Sequence, residues 1–151
     1  MFSYKLKGAY KIMEVQKLTK QNLEDFKNES DNKLTKFVCD YIINEWDDEH
    51  EDDNEKILLD VINYGCANGS VHLLVYTTDV LEFYETYKNE IYDLLVEVLD
   101  GCGCNSPADL FGKNWDIYDP LAFYELNKRT LAFFGFEETI RNIANEFGIE
   151  W

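Results

Sequence analysis

The 151-residue chain carries 30 Asp and Glu against 14 Lys and Arg, a formal charge of −16, with a pI of about 4.3. Its length predicts one globular domain, and 46% apolar with 15% aromatic residues supplies a core, which excludes a disordered chain. Bare nucleic acid is excluded as a ligand because phosphate binding needs a basic footprint. No apolar run reaches the roughly 18–20 residues of a membrane span. The start shows no signal-peptide h-region, so the expected location is the cytoplasm.

The charge is unevenly placed. Residues 1–20 hold five lysines and one acid, a net of +4, while residues 21–151 carry −20. Asp40 to Asp60 has ten acids and one lysine, and Asp79 to Glu125 has eleven acids and two lysines, each a net of −9. Fields of this kind act on partners and on-rates rather than on fold.

Taken in chain order, Phe2, Tyr4 and Leu6 and then Tyr10 and Ile12 alternate as in a short strand or hairpin. Equally, Met13 is the true start and residues 1–12 are a basic extension. Thr19 predicts the cap of a short helix to Phe26, with Leu23 and Phe26 inward. Asp31 predicts the cap of a stronger helix running to about Trp46. Its buried stripe is Leu34, Phe37, Val38, Tyr41 and Ile42, extending to Trp46. Seven acids then fall within Asp47–Glu55, which reads as a solvated loop or helix start. A helix from Asn54 to Tyr64 would bury Ile57, Leu58, Val61 and Ile62, with Gly65 ending it. Val71–Thr77 suits a short strand, although a helix fits so short a run almost as well. Thr78 or Asp79 opens the second strong helix, reaching almost to Asp100. Val80, Phe83, Tyr84, Tyr87, Ile91, Leu94, Leu95 and Val98 face inward, and acids face outward. Gly101 to Pro107 breaks the chain, and Ser106 with Pro107 starts a short turn. From Pro120 a helical pattern runs to about Phe147, with Gly135 as a kink or boundary and Gly148 as the stop. The expected fold is mainly α, a compact bundle of five to seven helices with a short N-terminal β element and one strand near 71–77.

Catalytic patterns are missing from the sequence. Cys39 falls inside a helix and reads as packing. Cys66, Cys102 and Cys104 could offer three thiolates, but there is one C-x-C and no second pair, unlike structural zinc sites. His50 sits among acids as a surface residue, and His72 lies in an apolar segment. The acid run is not a calcium loop: its sixth position is Asp52 and its twelfth Leu58, where glycine and glutamate are required. Phosphate-binding glycine motifs and nucleophile elbows are lacking as well. Neither cofactor nor metal nor enzyme activity is therefore expected.

The acidic faces suggest a basic partner. Glu82, Glu85, Glu90, Asp93 and Glu97 share one side of their helix over about 22 Å. That is sparser than duplex DNA, with one charge per roughly 1.7 Å, so a mimic needs a second element. Asp47, Asp48, Glu49, Glu51, Asp52 and Asp53 would supply it. Trp46, Tyr76 or Trp115, if exposed, would anchor what charge steers. The balance of 12 Lys to 2 Arg, with 13 Asn and 10 Tyr, suits an AT-rich genome.

Three pieces carry a resemblance: Tyr64, Gly65, Cys66, Ala67, Asn68, Gly69, Ser70 and Val71; Phe83-Tyr84 with Glu90-Ile91; and NKRTLAFFGFEETIRNIANEFGIEW at 127–151. Over residues 55–151 the chain resembles a family of small uncharacterised acidic proteins encoded by phages and mobile elements of Gram-positive bacteria. The resemblance implies an accessory gene, a setting in which small acidic proteins often inhibit host defence nucleases, anti-CRISPR proteins among them. The expected function is thus a non-enzymatic inhibitor binding the basic groove of a nucleic-acid-handling effector, such as a CRISPR effector, through both acidic patches. The alternatives are a homo-oligomeric structural or regulatory adaptor and, behind it, a metal-dependent enzyme using the three cysteines or clustered carboxylates.

Overall fold

The computed structural model describes residues 15–63, 80–102 and 128–151. Their helices are α1 (Lys20–Glu29), α2 (Lys33–Asn44), α3 (55–63), α4 (Val80–Cys102) and α5 (Lys128–Glu146), with a 3-10 turn at Glu51–Asp53 before α3. The fold is mainly α, a compact helical bundle with no strand among the described residues. The expected N-terminal β element, the strand at 71–77, the Ser106–Pro107 turn and the start of the last helix at Pro120 lie outside them.

Local chemistry sets the helix ends. The Thr19 hydroxyl accepts the Asn22 N–H at 3.0 Å and opens α1 as expected. The cap of α2 is Asn32, not Asp31: its side-chain oxygen accepts the Thr35 N–H at 3.0 Å. The two residue types cap about equally well, and the Ser30 hydroxyl decides between them by accepting the Asn32 N–H at 3.1 Å. α2 stops at Asn44, two residues short of Trp46, whereas α4 runs two beyond Asp100. At the C-terminus the Ile149 N–H reaches the Ala144 carbonyl at 2.9 Å and the Gly148 N–H reaches Asn145 at 3.2 Å, a Schellman closure. Gly148 supplies the required left-handed φ of 66°, and buried Ile149 folds back onto the body.

The helices pack in a chain of neighbours: α1 on α2, α2 on α4 and α5, and α4 along α5. An aromatic cluster joins α2, α4 and α5. Phe83 lies 5.2 Å from Phe37, 5.2 Å from Tyr87 and 6.3 Å from Phe136 between ring centroids, and Tyr41 stands edge-on to Phe136 at 5.6 Å. Phe26 meets Phe147 at 5.8 Å and pins α1 to the chain after α5. Such pairs contribute about 0.5–1.5 kcal/mol beyond the area they bury. Burial pushes both the Cys39 thiol and the Tyr41 phenol up to about 12, which makes Cys39 a packing residue. No described helix is long and apolar enough to cross a membrane.

Gly135 is neither a kink nor a boundary. α5 continues through it as one helix. A Cβ built there would stand 2.5 Å from Cγ1 of Ile91, so the missing side chain lets α4 and α5 approach. The kink in the bundle is in α4 instead, at Tyr87 (φ −115°, ψ 17°). Beside it the Thr86 hydroxyl donates to the Glu82 carbonyl at 2.8 Å, a back-bond that bends helices.

Substituting Gly135→Ala should therefore destabilise by about 1–3 kcal/mol, despite the roughly 1 kcal/mol that alanine gains in helix propensity. In a double-mutant cycle read by urea unfolding, Gly135→Ala with Ile91→Ala should cost less than the sum of the single changes. An additive result would mean the seam is not set by this contact.

Candidate functional site

The acid run folds into an ordered turn around one buried amide. Asn54 is 2% exposed, and its side-chain oxygen accepts the Asp47 N–H at 2.8 Å. Its Nδ2 donates to the carbonyls of Asp47 and Glu51, each at 3.0 Å. Asp47 adds a second tie: one carboxylate oxygen accepts the N–H groups of Glu49 (2.9 Å) and His50 (3.1 Å), and the other lies 3.0 Å from His50 Nδ1. The His50 ring, then the Glu49 N–H, hold the Asp47 carboxyl below the usual carboxylate range. The backbone is thereby fixed, with the Asp47 carboxylate turned back into it, while the side chains of Asp48, Glu49, Glu51, Asp52 and Asp53 are exposed on its outside.

Part of that charge is answered by the chain itself. Lys17 lies 3.5 Å from Asp52, and Lys20 lies 3.6 Å from Asp48. A cleft of about 350 Å³ opens between this turn and the start of α1, lined by Thr19, Lys20, Gln21, Glu24, Asp48 and Glu51. Among the described residues, no group of three or more His, Cys, Asp or Glu is arranged to hold a metal.

The second set stands on α4. Glu82, Glu85, Asp93 and Glu97 are exposed and Glu90 is half-buried. Lys128 of α5 meets Glu85 at 3.4 Å. Near the far end, half-buried Glu138 of α5 is raised above its ordinary value by burial, with Glu137 and Glu97 adding repulsion against the pull of Arg141. Arg141 pairs with Glu137 at 2.8 Å and stands 5.8 Å over the Trp151 ring, holding the C-terminal residue against α5. The two acidic sets therefore occupy different elements, the turn between α2 and α3 and the outer side of α4.

The family model described as "Domain of unknown function (DUF7222)" matches residues 31–149. The chain belongs to this family. The DUF7222 match starts just before α2 and takes in the acid turn, the whole of α4 and the Schellman closure. Searches of the curated proteins and of the solved structures each return no match.

Of the two sequence readings of Trp46, the structure bears out the end of the buried stripe and not the exposed anchor. Trp46 is only 9% exposed and belongs to the core, so it cannot serve as a surface anchor. Its indole Nε1 has no hydrogen-bond partner among the described residues. Tyr76 and Trp115 lie outside those residues, as do His72, Cys66 and Cys104, while Cys102 is the last residue of α4. The clamp at Asn54 was not foreseen, and neither were the exposed Leu81, Tyr92 and Val96 on α4. For these three the signal is present in the sequence: apolar residues out of register with the buried stripe.

Two outcomes follow from this geometry. Asn54→Ala removes three hydrogen bonds and should cost about 1–3 kcal/mol in urea unfolding, with amide exchange in residues 47–53 speeding up first. For Glu138, a carboxyl raised in the folded state stabilises fully below its unfolded value of 4.5, and that contribution is lost as pH rises through the folded value. Glu138→Gln should accordingly raise the thermal midpoint at neutral pH and show no gain at pH well below 4.5; equal gain at both pH values would contradict the assignment.

Proposed function

We propose that this chain is a non-enzymatic inhibitor that occupies the basic groove of a nucleic-acid-handling protein in the bacterial cytoplasm. A CRISPR effector is the partner class suggested by the likeness to mobile-element proteins. The observation that carries the reading is the pair of exposed acidic surfaces, one a turn held rigid by Asn54 and the other the outer side of a long helix. A rigid carboxylate array loses little entropy on docking, which an extended acidic loop could not avoid.

The ion pairs already present do not oppose this. Lys17–Asp52 and Lys20–Asp48 are exposed, and pairs of that kind are typically worth about 0–1 kcal/mol. A partner's guanidinium groups, offering bidentate geometry in a desolvated contact, would displace them. Density remains the constraint: five carboxylates along α4 fall well short of a duplex, so the turn must engage the same partner or a neighbouring part of it.

Pull-down from a host lysate at low and high salt, with duplex DNA as competitor, tests the reading. The captured nucleic-acid-binding protein should be released by salt and by DNA. Reversing Asp48, Asp52, Asp93 and Glu97 to lysine should abolish both capture and inhibition. Inhibition that survives this reversal would rule the proposal out.

A further inference from the structure

Five large apolar side chains stand out from the described surface, and three of them, Leu81, Tyr92 and Val96, are on α4. They are 42%, 52% and 40% exposed. Tyr92 and Val96 are four residues apart and so adjacent on one helix face. Asp93 and Glu97, each the next residue along, flank them with carboxylates. Beside Tyr92 a shallow groove of about 30 Å³ follows the seam of α4 and α5, lined by Tyr84, Lys88, Ile91, Tyr92, Leu95 and Leu131. This face thus joins an apolar strip to an acidic border.

That combination narrows the occupant. A second copy would set α4, with six acids and one lysine, against another surface of a chain carrying −16. A partner offering cations alone would leave the exposed apolar surface of Tyr92 and Val96 uncovered. We infer that the α4 face from Lys88 to Glu97 is the docking site of a basic amphipathic helix on the partner. Apolar residues of that helix, spaced three and four apart, cover Tyr92, Val96 and the groove, while its flanking Lys and Arg meet Asp93 and Glu97. The inference rests on α4 being a partner-binding face, and it names what the partner presents there. Aromatic residues at the centre of an interface carry most of the binding energy, so Tyr92 is the anchor and the acids set register and on-rate.

The probe is a labelled peptide of leucine and lysine with amphipathic helical spacing, about five turns or 18 residues long. It is compared with a scrambled peptide of identical composition by anisotropy titration of the full chain. The amphipathic peptide should bind at least about ten-fold tighter than the scrambled one, with amide shifts centred on α4. Tyr92→Ala with Val96→Ala should erase that difference while leaving the circular dichroism unchanged. Equal binding of both peptides, lost together on Asp93→Lys with Glu97→Lys, would overturn the helix inference and leave the acidic-face reading standing. Binding that ignores the Asp93 and Glu97 reversal would overturn both.

Discussion

The close approach of α4 and α5 at Gly135 is the contact on which the rest of the bundle depends. Ile91 sits where a side chain on residue 135 would have to be, and that proximity lets Phe83 reach Phe136 and, through Phe37 and Tyr41, the inner face of α2. A bulkier residue would push the two helices apart, and the aromatic rings would lose their neighbours together. The kink at Tyr87 belongs to the same arrangement. Before it Phe83 packs between Phe37 of α2 and Phe136 of α5, and after it Ile91 meets α5 at Gly135.

This seam also explains how the chain tolerates its charge. A helix with six acids and one lysine repels itself, but two exposed unit charges at about 4 Å interact by only about 1 kcal/mol in water, and salt reduces it further. Each buried Leu, Ile or Phe on the opposite side contributes about 1.5–3 kcal/mol. Phe83, Ile91, Leu94 and Leu95 therefore outweigh the outer face, and the acids can remain there at small cost. The acid turn solves the same problem differently. It has no apolar side to bury, so Asn54 and Asp47 hold the backbone through hydrogen bonds, and Lys17 and Lys20 approach from the segment before α1.

Much of the helical frame was legible because periodicity reports burial directly. The stripe from Leu34 through Ile42 and the one from Val80 through Leu95 face the core as their spacing requires, and Thr19 and Gly148 end helices as their chemistry requires. What was not legible depends on neighbours distant in sequence. Gly135 reads as a break because a sequence shows its flexibility but not Ile91, some 44 positions earlier. Trp46 lies at the end of the α2 stripe and is buried as that spacing implies, yet a tryptophan beside an acid run also looks like a surface anchor; the fold decides for the core. Asn54 is one of 13 asparagines, and only the return of the chain around it shows that its amide closes a turn. The acidic site residues lie on the surface as composition suggests, except Glu90, which is half-buried, but the ion pairs of Asp48, Asp52 and Glu85 come from other elements and leave no trace in spacing.

Charge alone does not rank the two acidic surfaces. Asp47 to Glu55 holds seven acids, and Lys17 and Lys20 bring its net to −5. α4 holds six, and Lys88 with Lys128 brings its net to −4. Fields so nearly equal would draw a basic partner about equally, and steering of this kind governs encounter more than residence. The difference lies in apolar surface. The acid turn exposes carboxylates on a polar backbone, whereas α4 exposes Leu81, Tyr92 and Val96 beside its carboxylates. Residence depends on desolvated aromatic and aliphatic contacts, since salt and water weaken exposed charge pairs but not buried rings. The turn is therefore suited to attracting a basic surface and α4 to holding it, a division of labour set by the side chains that the buried stripe of α4 leaves over.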